Sequence, residues 1–395
     1  MTHQYDFDTS IDRTGTYCTQ WDYVQDRFGK EGLLPFTISD MDFAAPNVVL
    51  DVLKQRLEHP VLGYSRWNHR DFKSAVTAWF HRRFDAMFDE QAIVYGPSVI
   101  YIISSLIQQW SKPGQGVVYH APGYDAFDRM IAGQQRVCVP SSLLKEHGQF
   151  SINWCELEQQ LADPNNRIFL LCSPHNPTGR VWSKEELIRI SKLCQRHNVA
   201  VISDEIHMDI AFKPHTPWQG FGLEMPWALV SSASKSFNIP ALTGAYAIIP
   251  DQQCRDDYLF KLKHVDGLSS PAILGVLATM AAYQKGHEWL DALNDYVLGN
   301  HKYVQTALNS AIPQINYQLP EATYLAWIDL SPLPLDMAAL NRTLIDQYDV
   351  AIMQGSTYGD VGKDYVRLNL GCPRSKVEAG VAALIAAIQA QLNGE

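Results

Sequence analysis

The stretch 228-ALVSSASKSFNIPALTGAYAIIP-250 places one lysine, Lys235, between two short apolar runs. Serine hydroxyls surround this lysine at positions 232, 234 and 236. A lysine just past the end of a buried strand is placed to form a Schiff base with a carbonyl compound, while neighbouring hydroxyls bind an anion. A solvated lysine in a surface loop fits the same pattern, so the stretch alone leaves both interpretations open.

Apolar runs alternate regularly with helical patterns between about residues 90 and 250. Runs that are apolar throughout indicate strands buried on both faces, as in a parallel sheet covered by helices. We predict strands at residues 93–95, 116–120, 168–172, 199–203, 228–232 and 245–249. Ser183 and Glu186 form a capping-box pattern, which predicts a helix over about 183–197.

The pattern changes after about residue 285. A long amphipathic segment is followed by two strand-like runs, TYLAWIDL and YVRLNL, and by an alanine-rich helix. The predicted fold class is therefore α/β, with a mostly parallel central sheet in a large domain and a smaller α+β domain. We expect the large domain to span residues 46–285 and the small domain 286–395, with residues 1–45 joining the small domain.

Composition excludes several classes of function. The net charge of −10 comes with interspersed acidic and basic residues, so no basic stripe predicts a nucleic-acid partner. Seven cysteines without a C-x-x-C pair predict reduced, mostly buried thiols and neither a disulfide framework nor a zinc site. The longest apolar stretch, residues 93–110, is interrupted by Gly96 and Pro97, which argues against a membrane span. The polar, acidic start MTHQYDFDTSIDR is unlike a signal peptide, so we expect a cytoplasmic protein.

Asp204 follows the predicted strand at 199–203 directly. Ligands bind at the carboxyl ends of strands in open α/β sheets, so this carboxylate is expected in a crevice. There it can keep a pyridinium nitrogen protonated. A metal site formed with Glu205 and His207 is the alternative, and a simple helix cap is another.

Two further loops follow predicted strands. In SPHNPTGR, Asn176 stands between two prolines that fix the backbone and present its amide rigidly. In YGPSVIY, Ser98 precedes an apolar helix that begins near Val99, and a helix start of this kind binds anions. A rigid turn without a ligand and an ordinary helix cap are the respective alternatives.

Together these motifs resemble the fold-type I pyridoxal-phosphate enzymes of the aspartate aminotransferase superfamily over essentially the whole chain. The chain is most similar to the MalY/PatB group of cystathionine β-lyases, and to its MalY branch above all. The segments that carry this resemblance are YCTQWDYV (17–24), LPFTISDMDFA (34–44), GYSRW (63–67), VYGPSVIY (94–101), LLCSPHNPTGRVW (170–182), VISDEIHMD (201–209), SKSFNIPALTGAY (234–246), DGLSSP (266–271) and VRLNLGCPR (366–374).

The resemblance implies a role for each matched residue. Lys235 would bond covalently to pyridoxal 5'-phosphate, and Arg367 would bind the substrate carboxylate by a bidentate pair. Lys235, Tyr64 and Tyr124 would be the catalytic residues. The remaining cofactor contacts would be Asp204 at the ring nitrogen, Asn176 at the 3-oxygen, Tyr124 on the ring face, His207 beside the ring, and Ser98, the Val99 amide, Ser232, Ser234 and the neighbouring subunit's Tyr64 at the phosphate.

Two positions depart from the pattern of typical aminotransferases. His207 replaces a tyrosine that tunes the cofactor, and Thr243 replaces an arginine that binds its phosphate. Both changes fit the carbon–sulfur lyases. The resemblance thus implies a homodimer with shared active sites that cleaves cystathionine, or related cysteine S-conjugates, to homocysteine or another thiol, pyruvate and ammonia. An aminotransferase is the alternative, as is a regulatory protein that modulates a transcription activator by contact.

Overall fold

A computed structural model of the protein describes residues 5–146 and 148–394. Residues 1–4 of the predicted N-terminal segment lie outside the described residues. In the described part of the chain, no helix has the length and apolar character required to cross a membrane.

The strands of the described residues belong to two sheets. Their bounds are β1 (Leu34–Phe36), β2 (Ile93–Gly96), β3 (Gly116–Ala121), β4 (Val137–Glu146), β5 (Gln149–Ile152), β6 (Asn166–Cys172), β7 (Ala200–Asp204), β8 (Trp227–Ser231), β9 (Ala245–Ile248), β10 (Leu325–Asp329), β11 (Val350–Gln354) and β12 (Tyr365–Asn369).

Helices connect these strands and cover the sheets. The α-helices are α1 (Val24–Phe28), α2 (Asn47–Glu58), α3 (Arg70–Phe84), α4 (Val99–Trp110), α5 (Asp125–Gly133), α6 (Trp154–Ala162), α7 (Lys184–His197), α8 (Ala233–Ser236), α9 (Gln252–Phe260), α10 (Ile273–Lys285), α11 (His287–Ala311), α12 (Met337–Tyr348) and α13 (Arg374–Asn393). A π-helical segment, Lys261–Val265, extends α9, and short 3₁₀ helices lie at Glu90–Ala92, Pro240–Leu242, Pro313–Ile315, Gly355–Tyr358 and Asp360–Gly362.

The larger sheet has eight strands in the order β2-β9-β8-β7-β6-β3-β4-β5. Strands β8, β7, β6, β3 and β4 run parallel to one another, and β9 and β5 pair antiparallel with their neighbours. Every residue of β3 and β7 is buried, as their apolar sequences require when helices cover both faces. The predicted α/β class with a mostly parallel sheet is confirmed, and each of the six predicted runs falls on a strand.

Strands β4 and β5 were not predicted from the sequence. They form the outer end of the sheet, where most residues of β4 are exposed or only half-buried. A strand in that position has no need of a continuous apolar run, so its sequence lacks the signal that marked the central strands.

The smaller sheet has the order β1-β11-β12-β10. Its hydrophobic core includes Phe36, Val304, Leu368 and Leu384, and is distinct from the core around the larger sheet. Strand β1 pairs parallel with β11, which brings the N-terminal segment to the C-terminal part of the chain. The domain boundaries near residues 45 and 285 remain a prediction, which this separation of sheets and cores supports.

Helix α7 begins with the capping box that its sequence predicts. The Ser183 hydroxyl accepts a hydrogen bond from the Glu186 backbone N–H at 3.2 Å. In return, the Ser183 backbone N–H donates to the Glu186 carboxylate at 2.7 Å. Two N–H groups that the helix itself leaves unpaired are thus satisfied.

Replacing the capping hydroxyl should destabilise α7. We expect Ser183→Ala to lower the stability of the folded protein by about 1 kcal/mol, because one helix N–H loses its partner. The measurement is the midpoint of thermal unfolding. Ser183→Asp is the control, since aspartate also caps helices, and it should unfold near the wild-type midpoint. Equal midpoints for the alanine variant and the wild type would contradict the role of the cap.

Candidate active site

Strands β2, β3, β6, β7 and β8 all end at one edge of the larger sheet. A cavity of about 230 Å³ opens at this edge. Nine of the eleven residues predicted from the sequence line it, namely Ser98, Val99, Tyr124, Asn176, Asp204, His207, Ser232, Ser234 and Lys235. Loops that are far apart in the sequence meet there because parallel strands bring their carboxyl ends together.

Lys235 lies in the short helix α8, immediately after β8. Its ammonium donates a hydrogen bond to the Ser39 backbone carbonyl at 2.5 Å. Burial lowers the Lys235 pKa to about 8, and the positive charge of Arg367 adds to the effect, while Asp40 and Asp204 oppose it. The amine is therefore much closer to its neutral, nucleophilic form at physiological pH than an exposed lysine.

Asp204 is the last residue of β7 and is buried. One carboxylate oxygen accepts a hydrogen bond from the Ile206 backbone N–H at 3.2 Å. The other oxygen has no donor among the described residues. Burial raises the Asp204 pKa to about 7, with a smaller contribution from Glu205. A cationic N–H entering the cavity would complete the hydrogen bonds of this carboxylate and keep it ionised.

The neighbouring Glu205 is buried, and other groups of the protein already bind its carboxylate. Its carboxylate accepts hydrogen bonds from the Ser203 hydroxyl at 2.9 Å and the Trp218 backbone N–H at 2.7 Å, and it pairs with His215 at 2.9 Å. Glu205 does not belong to the cavity lining. The residues of the alternative metal site are thus not gathered around one point, and no group of three metal-binding side chains occurs in residues 5–146 and 148–394.

Arg367 lies on β12 and is not itself part of the cavity lining, but it contacts Asn176, which is. Its guanidinium donates to the Asn176 side-chain oxygen at 3.1 Å and to the Thr37 carbonyl at 2.7 Å. Its Nε is buried without a partner, and it forms no ion pair with a carboxylate in the described part of the chain. A buried cation without a counter-charge is costly, so this position favours an anionic ligand.

Helix α4 provides a second anion-binding position. Its N-cap Ser98 accepts a hydrogen bond from the Tyr101 backbone N–H at 3.1 Å, and Val99 begins the helix. The first N–H groups of a helix lack intrahelical partners and attract an anion. Ser232, on the other side, already donates its hydroxyl proton to the Gly244 carbonyl at 2.7 Å. Thr243 also lines the cavity there, with a backbone φ of 48°, which is unusual for a β-branched residue.

Two aromatic side chains, those of Tyr124 and His207, also line the cavity. Tyr124 precedes α5, and burial raises its pKa. Burial lowers the His207 pKa to about 3, assisted by the charges of Lys235 and Arg367, so its imidazole is neutral. The His207 ring packs edge-on against Tyr324, with centroids 6.1 Å apart. Its Nδ1 is buried without a partner among the described residues.

Tyr64 does not reach the cavity of its own chain. It is fully exposed and lies in the irregular segment between α2 and α3. Its predicted contact with the cofactor therefore depends on a second copy of the chain and remains a prediction.

Some lining groups were not found from the sequence. Ser39 contributes a backbone carbonyl to the cavity, and Tyr324 donates to that same carbonyl at 2.7 Å. A backbone group leaves no signature of residue type. The segment that contains Ser39, LPFTISDMDFA, is marked in the sequence only by the family resemblance. Its one local signal is the polar run TISD after an apolar start.

Comparisons with known proteins agree with this geometry. The family model for class I and II aminotransferases matches residues 31–384. Protein MalY of Escherichia coli is 54% identical over 98% of this chain and 99% of its own length. Cystathionine β-lyase PatB of Bacillus subtilis is 34% identical over 97% of this chain and 99% of its own. Cystalysin of Treponema denticola, whose crystal structure contains a pyridoxal 5'-phosphate cofactor, superposes with a TM-score of 0.92 at 30% identity, covering 98% of this chain and 99% of cystalysin.

The matched residues include both the sheet that forms the cavity and the smaller sheet that carries Arg367. A match of this extent establishes the family. The chain belongs to the class I and II aminotransferases, in the group that contains MalY and the cystathionine β-lyase PatB.

Proposed function

We propose that this protein is a pyridoxal-phosphate-dependent carbon–sulfur β-lyase that cleaves cystathionine or related cysteine S-conjugates. The observation that carries the proposal is the composition of one cavity. A buried amine with a lowered pKa faces a buried carboxylate there, beside an arginine that has no carboxylate partner in the described residues. The activity named for PatB supports the choice of reaction.

The described side chains fit the polar groups of the cofactor. Lys235 supplies the amine for its aldehyde carbon, and the unpartnered oxygen of Asp204 suits the protonated ring nitrogen. Asn176 would donate its amide N–H to the ring oxygen, since its own oxygen already accepts from Arg367. The remaining contacts that we propose are Tyr124 on the ring face, His207 beside the ring, and Ser98, the Val99 amide, Ser232 and Ser234 at the phosphate.

Binding and proton transfer follow from the positions of these residues. The fork of Arg367 would hold the substrate α-carboxylate and so fix the α-carbon near Lys235. Bound pyridoxal phosphate supplies an acceptor for the electron pair of the α-carbon–hydrogen bond. Lys235 Nζ, once free, would take the α-proton, for which its lowered pKa suits it. Loss of the β-thiolate from the substrate would then give aminoacrylate, which would hydrolyse to pyruvate and ammonia.

Two residues favour elimination over transamination. His207 is a neutral imidazole without a hydroxyl, and Thr243 contributes no positive charge at the phosphate side. Transamination requires Lys235 to return the proton to the cofactor, with the charge balanced by the tyrosine and arginine that typical aminotransferases carry at these places. We therefore expect elimination of the thiolate to be faster than transamination.

We propose that the protein is a homodimer in the cytoplasm. Tyr64 would reach the phosphate of the partner's site, and exposed apolar neighbours such as Leu57, Val61 and Leu62 support burial of this surface against a second copy. All seven cysteines are free, as suits a reducing compartment. A regulatory contact with a transcription activator remains a prediction from the resemblance to MalY.

The products of cystathionine cleavage test the reaction itself. Without any added 2-oxo acid, the loaded enzyme should release pyruvate, ammonia and homocysteine in equal amounts, because elimination regenerates the cofactor in each turnover. The measurement is product counting with and without an added 2-oxo acid, and Lys235→Ala is the inactive control. Turnover that depends on the oxo acid and yields no pyruvate would replace the lyase by an aminotransferase.

The pH dependence of cofactor capture tests Lys235. Only the deprotonated amine attacks an aldehyde, and burial lowers the Lys235 pKa to about 8. Capture by the cofactor-free chain should therefore accelerate as pH rises and level off above about pH 8, instead of rising towards the ordinary lysine value of 10.5. Stopped-flow absorbance after mixing with pyridoxal phosphate measures the rate. Lys235→Ala should show no such phase, and a midpoint near the ordinary value would contradict the burial effect.

Mixed dimers test the role of Tyr64. Tyr64→Phe should weaken cofactor binding, because one hydroxyl contact to the phosphate is lost. A dimer of a Tyr64→Phe chain and a Lys235→Ala chain should regain one native site, formed by Lys235 of the first chain and Tyr64 of the second. Cofactor affinity and activity are measured after mixing, with each homodimer as control. Absence of complementation in verified mixed dimers would show that Tyr64 does not act across the interface.

A further inference from the structure

The guanidinium of Arg367 lies over the ring of Tyr358. The distance from Arg367 Cζ to the ring centroid is 4.8 Å, and both side chains are buried, with 3% and 2% of their surface exposed. The hydrogen-bond acceptors of Arg367 are the neutral oxygens of Asn176 and Thr37. The negative face of an aromatic ring stabilises a cation at this distance, and does so most strongly when water is excluded.

Tyr358 is itself held firmly. Its ring meets the indole of Trp327 edge to face, with centroids 5.4 Å apart and an interplanar angle of 83°. Its backbone carbonyl accepts a hydrogen bond from the Gly123 N–H at 3.0 Å. Gly123 directly precedes Tyr124, which lines the cavity. Tyr358 therefore contacts both Arg367 and the loop that carries Tyr124.

We propose that Tyr358 is a positioning residue for the substrate carboxylate, and that its ring face holds the guanidinium of Arg367 in the plane from which its N–H groups bind that carboxylate. This inference rests on the proposed function, because it takes Arg367 as the carboxylate-binding residue. Tyr358 acts through Arg367 and has no part in the bond changes.

A ring suits this task better than an acidic side chain. A carboxylate beside Arg367 would form a permanent ion pair and compete with the substrate for the same N–H groups. A ring face instead stabilises the charge from above the plane and leaves the edge of the guanidinium available. The Tyr358 ring can thus stabilise the buried charge of Arg367 while N–H groups of Arg367 remain available to bind an anion.

The test compares Tyr358→Phe with Tyr358→Leu in the cofactor-loaded enzyme. Phenylalanine keeps the ring face, so KM for cystathionine should stay close to the wild-type value. Leucine removes it, and we expect KM to rise about ten-fold with a much smaller change in kcat, because the carboxylate is held alike in the ground state and the transition state. Tyr358→Met, whose flexible side chain fills space without a ring face, should behave like the leucine variant.

Tyr365→Leu is the matched control. Tyr365 belongs to the same aromatic cluster, stacked on Trp327 at 4.8 Å, but the cation over its ring is Lys145. Its loss should disturb the cluster and leave KM unchanged. Failure of Tyr358→Phe to preserve KM, or an equal rise of KM in Tyr365→Leu, would overturn the role of the ring face.

Arg367→Lys separates this inference from the proposed function. It should raise KM strongly, because lysine cannot form the bidentate pair. An unchanged KM would remove Arg367 as the carboxylate-binding residue and with it that part of the proposed function. A raised KM in Arg367→Lys, together with native values in Tyr358→Leu and Tyr358→Met, would overturn only the inference about Tyr358.

Discussion

Five consecutive backbone carbonyls, those of residues 37 to 41, accept hydrogen bonds from side chains on both sides of the cavity. Arg367 and Asn369 reach this segment from β12, and Tyr324 reaches it from the position just before β10. Lys235 reaches it from α8, and Asn238 from the turn that follows α8. A buried carbonyl left without a donor costs about 1–3 kcal/mol, so the segment and the side chains around it must take up one common arrangement. The relative placement of Lys235 and Arg367 follows from that requirement.

The charged groups that this segment gathers then determine each other's protonation. Lys235 and Arg367 both disfavour a second cation nearby, which helps keep His207 neutral. Burial and Arg367 lower the pKa of Lys235, while Asp204 moderates the effect. The result is an amine poised to lose its proton next to a carboxylate that a cationic ring nitrogen would keep ionised. These are the conditions under which one lysine can serve first as a nucleophile and later as a base.

The sequence predicted what depends on local pattern, and it failed where tertiary contacts decide. The central strands and the start of α7 were predictable because burial on both faces and helix capping leave signals in adjacent residues. Asp204 and Lys235 were predictable because each follows such a strand. The edge strand β4 has no comparable signal, and Ser39 acts through a backbone carbonyl that any residue type would supply. Tyr358 is separated from Gly123 by more than half the chain, so no local pattern marks their contact.

Several buried polar atoms at the cavity have no partner within the described chain. They include Nε of Arg367 and Nδ1 of His207. One oxygen of Asp204 likewise accepts no hydrogen bond from the described residues. Elsewhere in folded proteins such atoms are rare, because each one forfeits its hydrogen bonds to water. At the cavity, each such atom can gain a partner from a bound ligand. A ligand that supplies a ring N–H and a carboxylate would provide partners for Asp204 and Arg367, so its binding would also stabilise the folded chain.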